Sequence, residues 1–90
     1  MKTRDELADL LKNNAPEAVI VAADEIIARG NAPSWAYLMR SEAFFASGKL
    51  GRALSDLHTA MSIEPSSAIE QRIKVLQDVI AFRNTDMLNP

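Results

Sequence analysis

The chain has 90 residues, no cysteine, one histidine, 48% hydrophobic and 24% charged residues, and a formal net charge of -2, the profile of one globular domain with a single modest core. Its ten Lys and Arg are interleaved with twelve Asp and Glu, so no run assembles a polybasic nucleic-acid surface or an acidic tail, and the missing thiols and lone His58 argue against a disulfide framework, a thiolate or His-rich zinc site and a cysteine nucleophile. The longest apolar run, Ala18 to Ala23, falls well short of the roughly 20 residues that a spanning helix needs, and the acidic start MKTRDELADL is unlike a signal peptide, so a soluble, cytoplasmic protein is expected, with no membrane partner.

Hydrophobic spacing is helical throughout and predicts an all-α fold of five helices. Helix one is expected near 4–13, with Thr3 and Glu6 as a reciprocal cap and Leu7, Leu10 and Leu11 on its buried side. Helix two is expected near 16–29, with Asn14 and Glu17 as its cap pair, Pro16 in its first turn, and Arg29 and Gly30 closing it. Helix three is predicted from about Pro33 to Ser47, stopping at Gly48, and helix four over 51–63, ended by Pro65, which forces Glu64 out of helical geometry. Helix five is predicted over 68–83, capped by Ser67 with Glu70, with a narrow wet face of Glu70, Lys74, Gln77 and Asp78 and apolar residues over the rest. The four connections are short enough that neighbouring helices must lie nearly antiparallel.

Helices three and four carry Tyr37, Ser41, Phe44, Gly48, Ala53, Leu57, Ala60 and Pro65, and in residue type and spacing this stretch resembles a tetratricopeptide repeat. Ser41 and Ala53 are small where two helices must cross closely, Phe44 and Leu57 are large beside that crossing, and Gly48 permits the reversal. Arg40 stands where the family favours Leu. The start of the chain resembles a degenerate copy of the same unit, with Leu7, Ala8 and Leu11 in the first helix and Val19, Ala23 and Ile26 in the second. The resemblance therefore implies a single domain over 1–90: an α-α superhelix of two helical hairpins, repeat 1 over 3–33 and repeat 2 over 34–65, a capping helix over 67–83 and a tail over 84–90. A generic five-helix bundle is the plainer alternative, but it would not require that constellation.

What the resemblance implies for function is non-catalytic binding of a protein or peptide segment on the concave helical face, without cofactor or metal. Carried over residue by residue, that face comprises Trp35, Leu38, Met39, Glu42 and Phe45 of helix three, flanked by Lys2, Asp5, Asp9 and Lys12 of helix one and by Ile69, Arg72, Ile73, Leu76 and Val79 of helix five. Leu38, Met39 and Glu42 occupy positions where carboxylate-binding relatives use Lys, Asn and Arg, so a carboxylate clamp is not expected. The alternative is a structural or regulatory homo-oligomer, a homodimer for instance, whose subunit interface is the same apolar groove; the tail residues Met87 and Leu88 folding back into it would bury it as well. His58 has Ser55 and Ser62 at helical spacing, but a convex helix face supplies neither an orienting group nor an oxyanion donor, so no enzyme is expected.

Overall fold

The computed structural model describes the backbone over residues 1–88 and side chains over 1–83. Its five helices are α1 (Arg4–Lys12), α2 (Pro16–Ala28), α3 (Ser34–Ala46), α4 (Leu50–Ile63) and α5 (Ser67–Leu88), with no strand among the described residues. None of these helices is long and apolar enough to cross a membrane.

The helix ends follow local chemistry. Thr3 caps α1 reciprocally with Glu6: the Glu6 N–H donates to the Thr3 hydroxyl at 3.3 Å, and the Thr3 N–H donates to Glu6 Oε1 at 3.0 Å. That second bond holds the Glu6 carboxyl below its ordinary range. Asn14 does not cap α2 as expected. It sits at φ 57, a left-handed conformation that Asn tolerates, and turns the chain, leaving Ala15 as the cap residue and Pro16 in the first turn. Gly30 at φ 88 follows α2, and Gly48 at φ 77 follows α3. Around Gly48 the Lys49 N–H donates to the Phe44 carbonyl at 2.8 Å and the Gly48 N–H to the Phe45 carbonyl at 3.0 Å, the paired bonds of a Schellman closure. The cap of α5 is Ser66 rather than Ser67: the Ser66 hydroxyl accepts from the Ala68 N–H at 3.2 Å. The helix then continues to Leu88, past the expected end at 83, so the backbone does not turn back at Asn84. Side chains of Met87 and Leu88 lie outside the described residues.

Packing is sequential, α1 on α2, α2 on α3, α3 on α4 and α4 on α5, with α1 also touching α3. The helix α3 therefore feeds two cores from two faces. In one, Ala43 meets Leu7 of α1 and Val19, Ala22 and Ala23 of α2; in the other, Phe44 meets Ala53, Leu57 and Ala60 of α4 and Ile69, Ile73 and Leu76 of α5. The α3–α4 crossing is close because Ser41 and Ala53 are small. Both are buried, and the Ser41 hydroxyl donates to the Ala53 carbonyl at 3.0 Å, which satisfies a polar group at the crossing.

Two pairs of helices, α2 with α4 and α3 with α5, come near each other without backbone contact. One arginine spans each gap. Arg40 reaches from α3 to Asp24 of α2 and Asp56 of α4, and Arg72 of α5 reaches Glu42 of α3. Each gap holds a hollow; a further hollow of about 600 Å³ on α5 is lined by Ser67, Glu70, Gln71, Ile73, Lys74 and Gln77, polar but for Ile73.

Candidate functional site

The hollow between α2 and α4 has a volume of about 320 Å³ and is lined by Glu17, Ile20, Asp24, Arg40, Phe44, Lys49, Arg52, Ser55 and Asp56. Its charges face one another. Arg40 Nε donates to Asp56 Oδ2 at 2.8 Å, Nη2 to Asp56 Oδ1 at 2.7 Å, and Nη1 to Asp24 Oδ1 at 2.8 Å. The guanidinium also lies 5.7 Å from the Tyr37 ring centroid and 5.6 Å from that of Phe44, within cation–π range. Arg40 is held protonated more firmly than a free arginine, first by the bonds it donates to Asp56 and then by the one to Asp24, with burial acting in the opposite sense. Asp56 is only 4% exposed, so its charge is compatible with burial only because this bidentate partner is present. Arg40 was the family mismatch in the sequence. In the structure it is a brace that joins three helices, and this first hollow is a structural ion-pair site.

The second hollow lies between α3 and α5 with α4 as its floor, and it has the opposite character. Its volume is about 290 Å³, and Leu38, Met39, Glu42, Leu57, Ala68, Ile69 and Arg72 line it. Apart from one ion pair, all of these are apolar. Glu42 and Arg72 close the rim at 2.8 Å, both side chains remaining more than 40% exposed, and the Arg72 guanidinium stands 5.4 Å from the Phe45 ring centroid. An open, apolar cleft with one fixed charge pair at its edge can seat a bulky apolar side chain and orient a polar neighbour.

The structure thus gathers Leu38, Met39, Glu42, Ile69 and Arg72 from the sequence-based candidates into one cleft, with Phe45 beside it. The remaining candidates lie elsewhere. Trp35 is partly buried against the α1–α2 core around Leu7 and Val19, so it serves packing rather than the cleft. Asp5 and Asp9 are exposed on α1, which contributes nothing to the cleft lining. On α5 the expectation was rotated: Ile73 and Leu76 are buried against α4, and Ile69 is only 6% exposed at the cleft base. The face of α5 that stays open is instead that of Ala68, Arg72, Val75 and Phe82, with Val75 53% and Phe82 69% exposed and Val79 between them half-buried. The sequence reading missed Ala68, Val75, Phe82 and the floor residue Leu57. The alternating steps of four and three from Ala68 to Phe82 are the signal that marks the open stripe.

His58, Ser55 and Ser62 are all exposed on α4, and no hydrogen bond joins the histidine to either serine. Among the described residues, no group of three or more His, Asp or Glu side chains is placed to hold a metal ion. Compared with known proteins, the chain matches no family model, no curated protein and no solved structure.

Proposed function

We propose that this chain is a non-catalytic binding module of tetratricopeptide-like build, working in the cytoplasm, that captures an amphipathic protein segment in the cleft between α3 and α5. The observation that carries the reading is the cleft itself, an apolar hollow of about 290 Å³, with the exposed side chains Val75 and Phe82 further along α5. Exposed apolar surface of this kind marks an interaction site.

Magnitudes decide what kind of segment fits. Burying one Leu-sized side chain contributes about 1.5–3 kcal/mol, whereas a micromolar complex needs about 8 kcal/mol. The cleft alone is therefore too small, and a partner must place several anchors along the α5 stripe as well. Side chains one helical turn apart do this, so the fitting ligand is a helix with apolar residues at three- and four-residue spacing.

Ala68 offers a clean test. It is exposed, it lines the cleft, and it stands in the first turn of α5, where an added carboxylate interacts favourably with the helix dipole. Ala68→Glu should keep the circular dichroism spectrum while weakening, by tenfold or more, the binding of amphipathic helical peptides selected from a displayed library against dilute, surface-tethered protein. Selected peptides that bind Ala68→Glu as well as the parent, or a library that yields no binder, would remove the cleft assignment.

A further inference from the structure

We propose that the occupant of the cleft is the α5 helix of a second copy of this chain, lying antiparallel to the first, so that Phe82 of each copy packs beside Arg72 and the cleft of the other. The inference rests on the cleft reading above and names its partner.

Helix α5 has two apolar stripes. One, through Ile69, Ile73, Leu76 and Ile80, packs on α4. The other, through Ala68, Arg72, Val75, Val79 and Phe82, advances by alternating steps of four and three, the seam spacing of two helices wound around each other. Helix α5 is 22 residues long against 14 for α4 and 13 for α3. Ile80 still packs against the α4–α5 core, and Phe82 is 69% exposed, the most exposed large apolar side chain among the described residues. Each copy thus carries an exposed apolar side chain, Phe82, and an apolar cleft, separated along the helix by the step of 14 positions from Ala68 to Phe82, or about 21 Å. An isologous pair satisfies both at once.

Charge selects the direction. A parallel pair would set Arg72 against Arg72. The antiparallel pair, centred between Val75 and Val79, sets each Val75 against Val79 of the second copy and each Arg72 against Phe82. The Arg72 guanidinium, already 5.4 Å from the Phe45 centroid, then lies between two aromatic rings, a favourable cation–π arrangement.

The test is the solution mass of the full chain by sedimentation velocity over a wide concentration range, for the parent, for Phe82→Asp, and for Val75→Glu and Val79→Lys alone and mixed. The parent should reach twice 9.9 kDa at high concentration, and Phe82→Asp should stay at the monomer mass with unchanged helicity. Val75→Glu and Val79→Lys should each be weakened as homodimers and associate with one another when mixed, because the antiparallel register puts the new charges together. A parent that stays monomeric throughout, a dimer indifferent to Phe82→Asp, or variants that do not pair on mixing would each overturn the inference. A monomeric parent whose selected peptides are still lost on Ala68→Glu would leave the cleft reading standing with a foreign partner.

Discussion

Arg40 stands where the resembled repeat favours Leu, and it donates to Asp24 and to both oxygens of Asp56. Asp56 on its own would be a buried, uncompensated carboxylate. Arg40→Leu should therefore destabilise the fold by about 3–5 kcal/mol, whereas Arg40→Leu combined with Asp56→Leu should recover most of that loss. Urea denaturation of the two variants checks this, and equal losses in both would show that Asp56 does not depend on Arg40. The Glu42–Arg72 pair is more than 40% exposed on both sides, where such a pair contributes about 0–1 kcal/mol. The two arginines thus differ in role: Arg40 braces the fold, and Arg72 marks the rim of the proposed binding cleft.

At the scale of the element, α5 decides the functional reading. Its sequence fixes a wet face of Glu70, Lys74 and Gln77, all exposed, but two apolar stripes flank that face and both obey helical spacing. Periodicity alone does not say which stripe α4 covers. The structure packs Ile69, Ile73 and Leu76 on α4 and leaves Val75 and Phe82 open, with Val79 half-buried, because the reversal at Pro65 and the Ser66 cap set the rotation at which the helix starts. The consequence is measurable in the dilute monomer. Leu76→Ala should cost about 2–5 kcal/mol of stability, while its neighbour Val75→Ala should shift stability by no more than about 0.5 kcal/mol. Equal effects in chemical denaturation would mean that the helix is rotated from the arrangement described here.

For the whole molecule, shape follows from connectivity. The radius of gyration is 13.6 Å, with extents of 46 × 27 × 20 Å, larger than the roughly 12 Å of a compact chain of this length. The elongation comes from a row of helices in which, among the described residues, only the backbone of α3 comes close to three others, α1, α2 and α4. Local stability should be graded accordingly. Helix α1 has one fully buried side chain, Leu7, and α5 beyond Ile80 has exposed side chains to Arg83. Native-state hydrogen exchange should therefore find the amides of α1 and the end of α5 opening first and those of α3 last. Protection in α1 equal to that in α3 would contradict this order.

The sequence by itself determined the local features, because each depends on residues within a few positions: helix number and order, the Thr3–Glu6 cap, Pro16 at the start of α2, and the left-handed Gly30 and Gly48. The close Ser41–Ala53 crossing, between two helices, was legible only through the repeat resemblance. Five of the seven residues that line the cleft, Leu38, Met39, Glu42, Ile69 and Arg72, were among the sequence-based candidates. Tertiary structure decided what depends on a neighbour across space. Trp35 is drawn into the α1–α2 core, Asp24 and Asp56 converge on Arg40 from helices on either side, and α4 chooses one apolar stripe of α5 over the other. In each case several arrangements satisfy the same helical spacing, and only the packing of one helix against the next selects among them.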